Sequence, residues 1–527
     1  MTMDPIALEV CRAALSGVAE EAGAALRRTA YSPNIKERVD CSAAVFGPDG
    51  ELVAQAEHIP VHLGSMPASV AAALARRGPL RPGDQVLLSD PFAGGTHLPD
   101  WTLVAPVFVD DRLLGYVANR AHHADVGGMA PGSMPGGATE IFQEGLRIPP
   151  VRLWREGRED PDVLDLLLAN SRTPDERRGD LRAQAGSNHT AAARLTELAG
   201  RMGIGGLFAG MEATKDHAER AVRAALVGIP PGTYRFEDLL DDDGAGTVDI
   251  PIRVAVSIGG GRMRVDFAGT SRQVAGSVNA PLAVTRSACA FVLRAVTDPE
   301  IPANAGADRP LEVRAERGSL LNPEPPAAVA AGNVETSQRI VDVVLGALAP
   351  ALPDRIPAAS QGTMNNTLIG GVDPRTGRAF TYYETVAGGQ GARPGRDGMS
   401  GVHTHMTNTL NTPAEALETA YPLRLLEARL RNGTGGDGRW RGGDGVRRVI
   451  EVLADGATVS ILSERRRHSP WGLAGGEPGA PGRNALVRHG DERALPAKVT
   501  LPVEPGDVLL VETPGGGGFG HARERKE

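Results

Sequence analysis

The chain is poor in cysteine, with three among 527 residues. Cys11, Cys41 and Cys289 lie far apart and form no C-x-x-C pair, which excludes a disulfide framework and a thiolate zinc site. Lysine is equally scarce: only Lys36, Lys215, Lys498 and Lys526 occur, and arginine supplies the other bases. With a net charge of -8 and no basic stripe with interleaved aromatics, nucleic acid is not an expected partner. No apolar run is long enough to span a membrane. Residues Met1 to Pro5 carry no basic segment leading into an apolar core, so a cytoplasmic location is expected. There is no P-loop and no G-x-S-x-G elbow, which argues against a nucleotide site or a serine nucleophile in this chain.

What is present is an ordinary soluble composition, 41% hydrophobic and 23% charged. Its 67 glycines and 40 prolines are dispersed among apolar runs and predict a fold rich in turns. Helical spacing is predicted over 4–29, 66–77, 161–170, 174–227, 281–295 and 334–349. A hairpin is expected at 42–56, around Gly47-Pro48-Asp49-Gly50. Strands are expected at 85–89, 102–109 and 113–119, then at 250–257 and 262–268, and they dominate from 436 onward. The expected class is α+β and multi-domain. An N-terminal α/β metal-binding domain (1–227) precedes a middle α+β domain (228–435), a β-rich, glycine-rich C-terminal region (436–520) and a tail (521–527).

The chemistry concentrates in Thr96-His97-Leu98-Pro99-Asp100 and Ala121-His122-His123-Ala124-Asp125. Five of the twelve histidines fall between 58 and 123. Two imidazoles with one or two carboxylates suit a divalent ion such as Mn, Zn, Fe or Co. A set that leaves positions open describes a catalytic ion, which lowers the pKa of water or polarises a carbonyl oxygen. Asp40, ahead of the hairpin, joins the candidate ligands. The same spacing also suits a bland reading, with His97 and Asp100 bracing a loop and one ring of His122-His123 buried. His58 and His62 are candidates for contact with substrate or with the ligands, although ordinary loop histidines explain them as well. Gly515-Gly516-Gly517-Gly518 lacks the Lys-Ser/Thr and helix of a phosphate cradle and reads as tight turns. The polar run from Glu384 through His403 and His405 to Asn408 reads as a second patch of the site or as an interface loop. Cys41 reads as a small buried side chain.

Longer stretches carry a resemblance. They include Arg28-Thr29-Ala30-Tyr31-Ser32, Asp90-Pro91-Phe92-Ala93-Gly94-Gly95-Thr96-His97-Leu98-Pro99-Asp100 and His122-His123-Ala124-Asp125-Val126-Gly127-Gly128. Glu144-Gly145-Leu146-Arg147, Gly332-Asn333-Val334-Glu335-Thr336 and Thr513-Pro514-Gly515 extend it. In this order, over residues 4 to 520, the chain resembles the hydantoinase B/oxoprolinase family. The resemblance implies a divalent metal held by Asp40, His97, Asp100 and His122. It implies a hydantoinase A-type partner subunit that uses ATP to activate the substrate, in a hetero-oligomer containing a homodimer. It further implies opening of a cyclic amide (hydantoin, 5-oxoproline or a related lactam), with His123 or Asp125 as candidates for moving the proton. An α-type subunit of an acetone or aryl-ketone carboxylase is a second implied activity. A scaffold subunit with a structural metal is a third reading, from a different class.

Overall fold

The computed structural model describes residues 3–56, 59–62 and 64–525. Its N-terminal part is built on a seven-stranded sheet. The strands are β1 (Cys41–Phe46), β2 (Leu52–Ala56), β3 (Gln85–Leu88), β4 (Asp100–Val109), β5 (Arg112–His122), β6 (Val151–Arg155) and β7 (Arg158–Glu159), in the order β2-β1-β5-β4-β3-β6-β7. Every pairing is antiparallel. The expected α/β organisation is therefore corrected to α+β. Short connections such as Asp110-Asp111 between β4 and β5 return the chain at once, and among the described residues no helix joins parallel strands of this sheet.

Helices clothe this sheet. They are α1 (Pro5–Thr29), α2 (Pro33–Lys36), α3 (Met66–Arg77), α4 (Pro161–Ala169), α5 (Pro174–Met202) and α6 (Ile204–Val227). Asp4 caps α1 by accepting from the Ala7 N–H (3.1 Å), with Pro5 in the first turn. Cys11, Leu15, Val18, Ala22 and Leu26 then recur at helical spacing and are buried. Arg120 on β5 bonds Ser69 of α3, whereas its neighbour Asn119 bonds Gln184 of α5. Successive strand residues point to opposite faces, so α3 and α5 cover opposite sides of the sheet. The expected single helix over 174–227 is broken at Gly203, whose φ of 70° a side chain would resist.

A second sheet has the order β11-β10-β9-β8, from β8 (Gly232–Asp242), β9 (Val248–Gly259), β10 (Arg262–Asp266) and β11 (Leu311–Arg314). Helices Leu282–Val296 and Ser337–Leu348 pack against each other, the latter also against β8 and β9, around the main hydrophobic cluster.

The remaining strands are β12 (Asn366–Val372), β13 (Ala379–Glu384), β14 (Leu423–Arg431), β15 (Gly445–Val452), β16 (Ala457–Leu462), β17 (Arg483–Arg488), β18 (Asp491–Leu495), β19 (Lys498–Val503) and β20 (Val508–Glu512). They form the sheets β13-β12-β16-β19 and β14-β15-β20-β17-β18. β12 pairs with β16 and β14 with β15, so the division expected at 435 cuts through both sheets. The glycines of 515–518 serve close backbone approach rather than tight turns. A Cβ at Gly516 would stand 2.1 Å from the Gln390 carbonyl oxygen, and one at Gly517 2.1 Å from that of Trp471. Among the described residues, no helix is long and apolar enough to cross a membrane.

Candidate metal centre

Three strand ends meet at one edge of the N-terminal sheet. Asp100 opens β4 and pairs across the ladder with His122, the last residue of β5. Cys41 pairs with Ala121, which sets Asp40 beside His122, and the His122 N–H donates to the Asp40 carbonyl (3.1 Å). His97 lies one tight turn before β4, and the Asp100 N–H donates back to the His97 carbonyl (3.2 Å). Asp100 thus lies on a strand rather than in the loop.

His97 Nε2 is 3.1 Å from Asp100 Oδ1 and 3.2 Å from His122 Nδ1, and His122 Nδ1 is 3.3 Å from Asp100 Oδ1. One shared proton cannot satisfy three mutually adjacent acceptors, but a cation can. Donors about 2.1 Å from one ion stand between about 3.0 Å apart (right angles) and about 3.4 Å apart (tetrahedral). The observed triangle falls in that interval. Among the described residues, this is the one group of three or more such side chains whose ligand atoms lie within 4.8 Å of one another. Asp40 is outside the triangle but lines the same cavity.

The environment suits a cation. Burial alone would raise the Asp100 pKa, yet the imidazoles of His97, His122 and His62 hold it well below the usual carboxylate range. Burial pushes His122 down, which favours the neutral imidazole a metal requires. Thr96 Oγ1 donates to Asp100 Oδ2 (2.7 Å), and the Asn34 amide donates to the His122 carbonyl (2.8 Å). The Tyr383 ring stacks on His122 at 4.6 Å.

The cavity is small, about 20 Å³. It has room for one ion or water but not for a lactam ring. Substrate can enter only if the lining parts. Besides the four expected ligands, the lining includes His62, Asn333, Met364, Tyr383, Thr385, Thr407 and Thr409. His62 Nε2 lies 3.7 Å from Asp100 Oδ2 and its Nδ1 is 2.9 Å from Ser42 Oγ. His58 lies outside the described residues.

The structure does not bring His123 or Asp125 to this cavity. His123 follows His122, so its ring faces the opposite side of the sheet, against Trp101 and 2.9 Å from Gln184 Oε1. Burial, with Arg177 nearby, pushes its pKa down to about 3. The Asp125 carboxylate accepts from the N–H groups of Gly127, Gly132 and Arg172 and pairs with the Arg172 guanidinium (3.0 Å). It braces the glycine-proline loop. Sequence reasoning missed Asn333, Tyr383, Thr385, Thr407 and Thr409. Thr385 and Thr407 fall inside the polar run Glu384–Asn408 and Asn333 inside the stretch Gly332–Thr336, whereas Tyr383 and Thr409 lie just outside the run. Cys41 is buried, and burial first, then Asp40, pushes its thiol up to about 12, which disfavours the nucleophilic thiolate.

The chain belongs to the hydantoinase B/oxoprolinase family, whose model matches residues 4–522. An uncharacterised protein of Methanocaldococcus jannaschii is 43% identical, over 99% of this chain and 92% of that one. 5-Oxoprolinase 1 of Arabidopsis thaliana is 41% identical over 98% of this chain, which spans only 42% of that enzyme's length. The crystal structure of an ATP-dependent caprolactamase from Pseudomonas jessenii superposes with a TM-score of 0.92 at 30% identity, covering all of this chain and 93% of that one.

Proposed function

We propose that this chain is the B-type, metal-holding subunit of an ATP-dependent hydrolase that opens cyclic amides. The reading is carried by the triangle of donor atoms from His97, Asp100 and His122 at the end of an antiparallel sheet. Family membership supports the reaction class, as do the names of the 5-oxoprolinase and caprolactamase relatives. The missing nucleotide motif supports an ATP-using partner of the hydantoinase A type.

A divalent ion of Mn, Zn, Fe or Co would be held by His97, Asp100 and His122, with Asp40 completing the set. When bound it would acidify water or polarise a carbonyl oxygen. An amide carbonyl is a poor electrophile, so prior activation by the partner makes chemical sense. The chain's own residues do the rest. Thr385, Thr407 and Thr409 line the cavity with their hydroxyls linked to one another, and Val61, Val334 and Met364 exclude bulk water. Tyr383 keeps its hydroxyl committed to Asn366 Oδ1 (2.9 Å) and offers its ring to His122. His62, in place of His123 or Asp125, takes the proton-transfer role through Nε2, with Nδ1 steadied by Ser42.

The test is turnover by the chain copurified with its A-type partner on a panel of hydantoins, 5-oxoproline and larger lactams. Ring opening coupled to ATP consumption, independent of bicarbonate, is the expected result. Strict bicarbonate dependence with a ketone would replace the reading by a carboxylase.

A further inference from the structure

The cavity beside His97, Asp100 and His122 has a second polar wall, made by Thr385, Thr407 and Thr409. All three threonines are buried. The Thr385 and Thr409 hydroxyls share a hydrogen bond, and Thr409 Oγ1 lies 3.5 Å from Thr407 Oγ1. Thr385 Oγ1 also accepts from Arg38 Nη2 (3.2 Å). Three hydroxyls bring three protons, and the two contacts among them use no more than two. The guanidinium cannot take the third, because it has donors only. Among the described residues, none of the three hydroxyls donates to a backbone carbonyl. At least one proton is therefore left over for whatever occupies the cavity.

The charge behind this wall has the same sign. Arg38 is 1% exposed, and among the described residues no carboxylate forms an ion pair with it. Its Nη1 donates to Asn34 Oδ1 and the Tyr383 carbonyl, its guanidinium rests on the Tyr383 ring (4.5 Å), and its Nε has no partner. His403 brings no negative charge: burial, then Arg38, pushes its pKa down to about 4 and leaves it neutral. Buried arginines elsewhere in this protein, Arg339 and Arg465, stand against carboxylates. Arg38 stands one hydroxyl away from the cavity instead. An acceptor that carries negative charge would satisfy both the spare proton and the unpaired guanidinium.

We propose that Arg38 and the three threonines form an oxyanion subsite, which takes a negatively charged oxygen of the reactant or product. The oxygen belongs to a carboxylate, which opening of a cyclic amide releases, or to a phosphate, which ATP supplies. The hydroxyl keeps its proton and lends it as a hydrogen bond. The source of the anion rests on the reaction proposed above, in which Arg38 has no part.

The experiment is calorimetric titration of the Co²⁺-loaded chain with formate, with inorganic phosphate and with neutral formamide. At least one of the two anions should bind the wild type, and the one that binds identifies the source. Arg38→Met should weaken that anion at least about tenfold and leave formamide unchanged. Of the single variants Thr385→Val, Thr407→Val and Thr409→Val, at least one should weaken it about 10- to 100-fold, the range for a hydrogen bond to a charged group. Unchanged Co²⁺ content and melting separate recognition from folding. The threonine variants leave Arg38 in place and carry the test if Arg38→Met does not fold. If neither anion binds the wild type, if folded Arg38→Met binds as tightly as the wild type, or if none of the three threonine variants weakens binding, the proposal falls. If the wild type takes up no Co²⁺, the metal reading falls, and the same titrations on the metal-free chain decide the subsite. A chain that binds the anion through Arg38 yet opens no cyclic amide keeps the subsite and loses the reaction.

Discussion

Two deeply buried polar regions of this molecule solve the same problem in opposite ways. Beside helix Ser337–Leu348, Arg465 pairs with Asp342 (2.7 Å) and Asp238 (2.8 Å), while Glu464 pairs with Lys498 (2.7 Å) and Arg339 (3.2 Å). Three cations face these three carboxylates, with Asp242 3.7 Å from Lys498 as a fourth, and each charge finds a complement inside the protein. At the end of the N-terminal sheet, Asp40 and Asp100 are as buried, but among the described residues no arginine or lysine forms an ion pair with either. Imidazoles surround Asp100 instead. Burying unpaired charge is costly, and the ion proposed above would supply the missing counter-charge. The closed network joins parts of the chain; the open one is where the proposed ion would sit.

Breaking each region should therefore give different symptoms. The largest effect is expected from Asp100→Asn. It removes the charge at the centre of the triangle, so metal content measured on purified protein should fall from near stoichiometric to near zero. Because three imidazoles and the Thr96 hydroxyl favour the ionised carboxylate, the metal-free variant should melt no higher than the metal-free wild type. Retention of full metal occupancy would place the ion elsewhere.

In the closed network the symptom should be lost stability. Lys498→Met leaves Glu464 short of one partner and should cost about 3–5 kcal/mol in chemical denaturation, the usual result of breaking a buried pair. The double variant Lys498→Met/Glu464→Leu removes one charge of each sign and should recover most of that loss. If the double variant is no better than the single, the balance of charges is not what holds the region.

The smallest effect sharpens the comparison with a third solution, in which a buried carboxyl stays neutral. Glu144 Oε1 accepts from the Val329 and Ala330 N–H groups, and burial pushes its pKa up to about 8 from 4.5. The folded state then binds a proton that the unfolded state has released. This contribution is complete below about pH 4.5 and is lost as pH rises toward 8. Glu335 has the same sign. Glu144→Gln should therefore flatten part of the fall in melting temperature between pH 5 and pH 8. A wild-type curve that does not fall over this window would show that Glu144 is ionised.

Much of the architecture near the site was legible in the sequence. The helix over 4–29, the hairpin around Gly47-Pro48-Asp49-Gly50 and the helix over 66–77 all form at the expected places, because caps, turn residues and apolar spacing act over a few residues. His97, Asp100 and His122 were legible as a group, and they do converge. What escaped is long-range. That His123 turns away from the cavity lined by His122 depends on which face of β5 looks toward Tyr383, which no local pattern reveals. β14 and β12 find partners that lie beyond the expected division at 435, since pairing depends on the whole sheet.

By itself, the sequence determined the residue types able to bind a divalent ion, the absence of a nucleotide motif in this chain, and the family to which it belongs. Only the tertiary structure decided how those side chains meet. Antiparallel register set Asp40, Asp100 and His122 side by side, strand alternation turned His123 away, and the π turn Gly332–Thr336, more than two hundred residues downstream, brought Asn333 to His97. Spacing along a chain limits which groups are available. Packing of sheets and helices fixes the few ångströms in which coordination chemistry operates.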